Sequence, residues 1–283
     1  MRKRHPANAP GDWYIDTQCT DCGAARHVAP GLIVEDDGQS VFARQPKTDA
    51  EKLMAWRARL LCPTASVRTE KPAEPPEGAF PQLLTKDVYR LGYNAASSYG
   101  AHSYLIRRAV GNAMVDSPRW TKALVAKMEE WGGLVSILLT HQDDIADADR
   151  YAAHFKARVH IHKADKRRVP YATDILEGFE PVALAPDLLV IPVPGHTKGS
   201  VAFLYDGRVL FTGDSLAWDA DDGVLDAHRD YCWYSWEEQT RSLERLLDYP
   251  FEWVCAGHGN SVELPPGEMR AQLKKLIARM KKS

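Results

Sequence analysis

The chain has 283 residues, an apolar content of 45% and a formal net charge of −2. Such a length and composition predict a globular protein of about two domains, and the near-neutral charge gives no reason to expect nucleic acid as a partner. No apolar run approaches the ~20 residues of a membrane span, and none follows the basic N-terminus as in a secretory signal, so we expect a cytoplasmic protein with a small-molecule substrate and no membrane contact.

The composition of residues 1–81 changes along the chain and predicts a tail, a small domain and a linker. Residues 1–12 are polar and contain proline, which predicts a flexible tail. Residues 13–70 predict a small domain that holds three of the five cysteines. Residues 71–81 contain four prolines, which stiffen the chain and block regular pairing, so this stretch is predicted to be a linker. Residues 82–283 then form the second predicted domain.

The small domain carries a cysteine pattern. Cys19 and Cys22 form a C-x2-C pair, and Cys62 follows far along the chain, directly before Pro63. Two thiolates at this spacing can face one metal ion or one cluster. Residues 13–70 resemble the single-cluster [4Fe-4S] ferredoxins, which use C-x2-C-x2-C with a remote Cys-Pro. The resemblance implies a small ferredoxin-like α+β domain with an iron–sulfur cluster.

One ligand of that pattern is missing, because its third cysteine falls at Ala25, which cannot bind iron. His27 lies two residues further, and imidazole replaces thiolate in some iron–sulfur centres. We therefore predict a [4Fe-4S] cluster held by Cys19, Cys22, His27 and Cys62. A zinc site with the same three cysteines and one histidine is an alternative. A domain that has lost its cluster is another.

From residue 82 the pattern alternates between strands and helices. Strands are predicted at 103–107, 112–116, 134–139, 159–161, 188–193, 201–204, 209–211 and 252–255, and helices at 121–131, 147–155, 235–248 and 269–281. Four strand ends carry polar residues, at 140–144, 194–197, 212–215 and 255–259, and the last three of them also contain glycine. Loops at the carboxyl ends of strands share one edge in layered α/β folds, and histidine and carboxylate donors suit zinc or iron.

Three of these strand ends carry specific motifs. They read Pro-Gly-His-Thr-x-Gly-Ser at 194–200, Phe-Thr-Gly-Asp-Ser at 211–215 and Gly-His-Gly at 257–259. In combination they resemble the metallo-β-lactamase superfamily over about residues 82–265. That resemblance implies an α+β fold, an αββα sandwich with its metal site along one edge of two packed sheets.

The same resemblance implies roles for individual residues. His196 would bind one metal ion, Asp214 would bridge two, and His258 would bind the second. The family's first motif is His-x-His-x-Asp-His, but the window here reads His141-Gln-Asp-Asp-Ile-Ala146. His141 matches that motif.

The rest of this window departs from the family. Asp143 stands where the second histidine belongs, whereas Ile145 and Ala146 cannot bind metal, so the second site is short of two ligands. We predict a modified site that could be mononuclear, with zinc or iron held by His141, Asp143, His196 and Asp214. Asp144 or a metal-bound carboxylate would serve as general base for attack by a metal-activated water. A local shift of the chain could instead bring Asp144 to the second site, which spacing alone does not show.

Three functions remain open from the sequence. The first is a metal-dependent hydrolase with an attached iron–sulfur domain. The second is a non-haem iron oxidoreductase fed by the cluster and by a redox partner protein, since the carboxylate of Asp143 favours iron and the flavodiiron proteins of this superfamily also use one there. The third is a non-catalytic redox- or metal-sensing protein with a degenerate site.

Overall fold

The computed structural model describes residues 2–71 and 74–282. It forms two compact units, Met1–Leu134 with Ala146–Arg150 and Val135–Ile145 with Tyr151–Ser283. The predicted linker at 71–81 therefore lies within the first unit, and its residues 72 and 73 lie outside the described residues. No helix in the described ranges combines the length and the apolar character that crossing a bilayer requires.

The N-terminal part of the first unit is built from two strand pairs and two helices. Its elements are β1 (Trp13–Ile15), α1 (Ala24–Val28), β2 (Ile33–Asp36), β3 (Gln39–Phe42), α2 (Asp49–Leu61) and β4 (Val67–Thr69). Strand β1 pairs antiparallel with β4, and β2 with β3. A capping box starts α2, because the Thr48 hydroxyl accepts from the Glu51 amide while the Glu51 carboxylate accepts from the Thr48 amide. Trp13, Phe42 and Trp56 lie in the core beneath these elements.

The expected flexible tail is instead hydrogen-bonded to this core. The buried side chain of Asn8 donates to the Ile15 carbonyl at 2.8 Å and accepts from the amides of Ile15 and Phe42 at 2.9 and 3.0 Å. Arg2 also forms an ion pair with Asp16 at 3.0 Å. One buried amide thus satisfies backbone groups of both β1 and β3, which is why the segment packs there.

An antiparallel sheet and one helix complete the first unit. They are β5 (Gln82–Thr85), β6 (Val88–Arg90), β7 (Tyr104–Ile106), β8 (Ala113–Val115) and α3 (Lys122–Glu130). Arg119 donates to the carbonyls of Leu60 and Cys62 at 2.8 and 3.3 Å, and the Asn94 amide donates to the Leu61 carbonyl at 3.1 Å. These donors satisfy the carbonyls that the end of α2 leaves unpaired, so the chain on both sides of the predicted linker folds together.

The second unit contains one large mixed sheet, three parallel strands and three helices, the shortest of which begins in residues assigned to the first unit. Its strands are β9 (Ser136–Leu138), β10 (Arg158–His162), β11 (Asp174–Leu176), β12 (Val182–Ala185), β13 (Leu188–Pro192), β14 (Val201–Tyr205), β15 (Val209–Gly213), β16 (Ala217–Asp219), β17 (Val224–Asp226), β18 (Trp253–Ala256) and β19 (Val262–Glu263). The helices are α4 (Ala148–Phe155), α5 (Trp236–Arg245) and α6 (Pro266–Met280). The strands of the mixed sheet lie in the order β12-β13-β14-β15-β18-β19, and all neighbours in it are antiparallel except β15 and β18. Strands β9, β10 and β11 pair in parallel.

Apolar side chains of α5 and α6 cover one face of the mixed sheet. Leu243 of α5 and Leu273 of α6 pack in one core with Ala202, Leu210 and Val254 of the strands. The predicted start of α5 is confirmed, because the hydroxyl of Ser235 accepts from the Glu238 amide at 3.2 Å. The sheet and its helices thereby fix the ends of β13, β15 and β18, the three ends that carry the motifs.

Candidate metal centre and thiol cavity

Four polar side chains of the second unit come from loops that follow four different strands. His141 follows β9, His196 follows β13, Asp214 follows β15 and His258 follows β18. The structure brings them together into two groups of potential metal donors that share Asp214. We call this cluster the metal centre.

The first donor group consists of His141, His196 and Asp214. The Nε2 atoms of the two histidines lie 3.7 and 3.6 Å from Oδ2 of Asp214. Both Nε2 atoms are buried and have no hydrogen-bond partner among the described residues. Two donors on one tetrahedral zinc-sized ion lie about 3.4 Å apart, so the separations fit a shared ion better than direct hydrogen bonds.

The surroundings of His141 keep its ring neutral and oriented. Burial lowers the pKa of His141 to about 4, despite the opposing charge of Asp214. The Thr140 hydroxyl lies 3.0 Å from Nδ1 of the ring. A neutral ring whose Nδ1 has a hydrogen-bond partner can present Nε2 as a metal ligand.

The second donor group consists of Asp144, Asp214 and His258, whose donor atoms all lie within 4.8 Å of one another. Burial alone would raise the pKa of Asp214, but the facing His258, with His141 and His196, lowers it well below its usual range. The Asp214 carboxylate is therefore ionised, and it belongs to both groups. One shared carboxylate between two donor groups is an arrangement suited to two metal ions.

Asp143 and Asp144 occupy different environments. The side chain of Asp143 is 36% exposed, with Oδ2 3.7 Å from Nε2 of His196, and its proximity to His196 lowers the pKa of Asp143. Asp144 is 1% exposed and lies in the second donor group. The sequence predicted a second site that is short of two donors, with Asp144 as the general base. In the structure the Asp144 carboxylate lies close enough to Asp214 and His258 to supply one of the missing donors.

Only glycine fits at position 257, because the carboxylates of Asp214 and Asp144 both lie close to its backbone. A Cβ atom at this position would lie 2.7 Å from Oδ1 of Asp214 and 2.8 Å from Oδ2 of Asp144. Any side chain would therefore push a carboxylate away. The first glycine of the Gly-His-Gly motif thus creates the space in which the second donor group assembles.

Helix α5 supports the loops of His196 and Asp214. A Cβ atom at Gly195 would lie 2.2 Å from Cβ of Gln239, so only glycine allows the helix to approach here. From α5, Gln239 donates to the Ser215 carbonyl at 3.0 Å and Ser242 donates to the Pro194 carbonyl at 2.7 Å. The helix therefore connects two of the ligand loops.

Asp165 is a structural element of the site that the motifs did not reveal. Its buried carboxylate accepts from the Thr197 hydroxyl at 2.6 Å and from the amides of Gln142 and Gly199, both at 3.1 Å. These partners belong to the loops that carry His141 and His196. Asp165 lies just beyond the end of β10, and that position at another strand end was the signal that could have identified it.

Replacing Asp165 with alanine is expected to leave three buried donors unpaired. We expect a loss of about 2–4 kcal/mol in unfolding free energy and a metal affinity about 10–100-fold weaker at the first donor group. Chemical denaturation of the metal-free protein and a metal titration measure the two effects separately. Thr197→Val, which removes one donor, is the matched control with a smaller effect. An unchanged metal affinity in Asp165→Ala would show that the carboxylate only stabilises the fold.

Exposed aromatic side chains lie beside the metal centre. Tyr231, Trp233 and Tyr234 are 57%, 64% and 47% exposed. The Trp233 amide donates to the His196 carbonyl at 2.9 Å, and its ring centroid lies 6.2 Å from that of His196. These rings can contact a substrate that reaches the metal centre.

The first unit contains a different potential binding site. Cys19, Cys22 and Cys62 line one small cavity, which we call the thiol cavity. Each sulfur accepts a hydrogen bond from a backbone amide. The Ser40 amide donates to Cys19 at 3.5 Å and the Ser66 amide to Cys62 at 3.2 Å, and the Ala24 amide donates to Cys22. Amide donors of this kind stabilise cluster-bound thiolates, so the residues present fit an iron–sulfur cluster.

His27, the predicted fourth ligand, is not brought to this cavity. It does not belong to the lining residues, whereas Ala25 does. Nδ1 of His27 instead lies 3.2 Å from Nε2 of the buried His102. Burial raises the pKa of the Cys22 thiol to about 11, which makes this sulfur a poor free nucleophile.

Two curated relatives share part of the chain. A hydroxyacylglutathione hydrolase from Fuscovulum blasticum is 36% identical over 151 residues, which is 52% of this chain and 56% of the relative. Another from Xanthomonas campestris pv. campestris (strain B100) is 37% identical over 149 residues, 51% of this chain and 55% of the relative. The chain thus spans about half the length of the curated relatives it matches.

A solved structure and two family matches complete the comparison. The BLEG-1 B3 metallo-beta-lactamase shares the fold with a TM-score of 0.53 and 19% identity, over 67% of this chain and 99% of that one. Residues 15–69 match the 4Fe-4S single cluster domain of Ferredoxin I. Residues 83–280, more than half of the chain, match the metallo-beta-lactamase superfamily. The fold predicted from the motifs is confirmed, and the chain belongs to the metallo-beta-lactamase superfamily.

Proposed function

We propose that this protein is a metal-dependent hydrolase that cleaves an acyl thioester of the hydroxyacylglutathione class and carries an iron–sulfur cluster in its N-terminal domain. The observation that carries the hydrolase proposal is the pair of donor groups that share Asp214. A degenerate site would not keep two further donors on each side of one shared, ionised carboxylate. The names of the curated relatives motivate the substrate class.

The residues of the metal centre divide between two ions of zinc or iron. His141, His196 and Asp214 would hold the first, with Asp143 beside His196, and Asp144, Asp214 and His258 would hold the second. When bound, such ions lower the pKa of water and polarise a carbonyl oxygen. The high share of carboxylates favours iron more than an all-histidine set would.

The chain itself positions the donors and the substrate. Asp165 and α5 hold the ligand loops, so the donors are already close to their required separations. The Trp233 ring offers an apolar face beside His196, and the exposed Lys198 lies 6.0 Å from the Tyr234 ring centroid. An aromatic face with a nearby cation suits a substrate with an acyl chain and a peptide carboxylate, as in an acylated glutathione.

The thiol cavity supports the second part of the proposal. Three thiols with backbone donors on one cavity wall match the ligand environment of an iron–sulfur cluster, and we propose that a redox partner protein exchanges electrons with it. A sensor does not require the complete pair of donor groups, whereas a diiron oxidoreductase would use both. We place hydrolysis before the oxidoreductase because the curated relatives are named as hydrolases.

Hydrolysis of S-lactoylglutathione tests the catalytic proposal. We expect the anaerobically purified chain to cleave the thioester with kcat/KM of at least about 10⁴ M⁻¹s⁻¹, measured by the loss of thioester absorbance. A chelator should abolish the activity, and added zinc or iron(II) should restore it. A metal-loaded protein that leaves this thioester intact would refute the substrate class. A second unit that binds no metal would refute the hydrolase.

A further inference from the structure

We propose that the cluster of the thiol cavity is held by three protein ligands only, Cys19, Cys22 and Cys62, and that its fourth corner opens on Ala25. In the isolated protein this gives a [3Fe-4S] cluster, in which each thiolate binds one iron. The inference rests on the iron–sulfur domain of the proposed function. It replaces the predicted ligand His27 with an open corner.

Among the residues that the structure describes, the wall of the thiol cavity offers no fourth thiolate or imidazole. Its remaining residues are small, apolar or hydroxylated: Ile15, Thr20, Gly23, Ala25, Ser40, Pro63, Thr64 and Val67. Ala25 stands where the ferredoxin pattern has its third cysteine, and its methyl group cannot bind iron. The hydroxyls of Ser40 and Thr64 are engaged, with Arg26 at 2.7 Å and with Ser66 at 2.8 Å. Neutral hydroxyls are in any case not the donors that iron–sulfur sites use.

The hydrogen bonds of Asn94 fix the tautomer of His102. Nδ2 of this buried asparagine lies 2.6 Å from the Gly100 carbonyl, which can only accept, so the amide nitrogen must face it. The same nitrogen lies 3.2 Å from Nδ1 of His102. Nδ1 therefore accepts the second amide proton, and His102 carries its own proton on Nε2.

The tautomer of His102 in turn determines that of His27. Nε2–H of His102 donates to Nδ1 of His27 at 3.2 Å, so a neutral His27 carries its proton on Nε2. That Nε2 atom lies 3.0 Å from the point where a Cβ of Gly23, a residue of the cavity wall, would stand. Because Nδ1 accepts from His102 and Nε2 carries the proton, a neutral His27 has no lone pair left for iron. His27 is thus a structural histidine that packs against Gly23, the residue after Cys22.

The test measures cluster composition in the full-length chain, purified anaerobically and reconstituted with iron(II) and sulfide. A Cys19→Ser/Cys62→Ser variant, which cannot hold the cluster, gives the iron bound by the metal centre alone, and every iron count here is taken above that value. On this count we expect about three irons and about four acid-labile sulfides per chain, and an EPR signal in the oxidised state. Ala25→Cys should bind about four irons, become EPR-silent when oxidised and show its signal after reduction. His27→Gln should keep the wild-type composition and spectrum, and circular dichroism checks that both variants fold.

Three results would overturn the proposal. The first is loss of iron in a folded His27→Gln variant, which would make His27 a ligand. The second is a wild-type protein that holds four irons and has the same spectra as Ala25→Cys. The third is zinc without acid-labile sulfide in both the wild-type protein and Ala25→Cys, which would also refute the proposed iron–sulfur cluster. The first two results would refute only the three-ligand cluster.

Discussion

Replacing Asp214 with alanine is expected to empty both metal positions at once. The carboxylate belongs to both donor groups, and its charge is what His141, His196 and His258 face in a buried site. We expect the metal content of the second unit to fall from about two ions per chain to near zero. We expect kcat/KM to drop by on the order of 10³-fold or more, about 4 kcal/mol of transition-state stabilisation. Elemental analysis after dialysis and the thioester assay measure the two effects.

The control for this variant is Asp222→Asn, which removes a carboxylate from an exposed turn outside the metal centre. It should keep both metal content and activity. Asp214→Asn separates charge from size, because the amide has the same shape but no negative charge, and we expect it to lose metal almost as completely. Retention of both ions in either Asp214 variant would show that the two donor groups do not share this residue.

The glycine motifs predicted most of the metal centre because their chemistry is local. His196, Asp214 and His258 each stand in a turn next to a glycine, and Gly195 and Gly257 prove necessary for close contacts with Gln239 and with two carboxylates. Such turns can be recognised from a few neighbouring residues. The start of the helix that supports them could also be predicted, because Ser235 with Glu238 three residues later forms a capping pattern.

Asp144 was assigned differently because the direction of its side chain depends on the loop backbone. The loop after His141 contains Ala146 with a positive φ of 31°, a conformation that residue identity did not indicate. Sequence spacing placed Asp143 at the position of the missing histidine. The structure brings Asp144 to the second donor group, and the ligand set changes accordingly.

At the thiol cavity, too, local spacing predicted some neighbours but not a contact between residues far apart in the sequence. The spacing of Cys19 and Cys22 was enough to predict that they face one site with Cys62, and all three line it. His27 was chosen as a ligand by its distance along the chain. Its observed partner, His102, is 75 residues away and could not be identified from local spacing. Long-range hydrogen bonds, such as those of Asn8 and Arg119, also explain why the predicted tail and linker pack into the first unit.

Replacing Asp144 and Asp143 separately is expected to distinguish the two donor groups. Asp144 is buried within the second group, so Asp144→Ala should reduce the metal content from about two ions to about one and lower kcat by about 10²–10³-fold. The half-exposed Asp143 contacts only the His196 side of the first group. Asp143→Ala should therefore retain both ions at saturating metal and weaken affinity by about 10–100-fold.

Metal titration followed by elemental analysis gives both stoichiometry and affinity for the two variants. Each aspartate also has an amide variant, Asp144→Asn and Asp143→Asn, which preserves volume and controls for a cavity in the loop. If Asp143→Ala loses one ion while Asp144→Ala keeps two, then Asp143 and not Asp144 is the essential metal ligand. In that case the spacing of the sequence motif identified the ligand correctly. If Asp144→Ala keeps both ions but loses activity, Asp144 acts as the general base rather than as a ligand, because a proton acceptor is needed only during turnover.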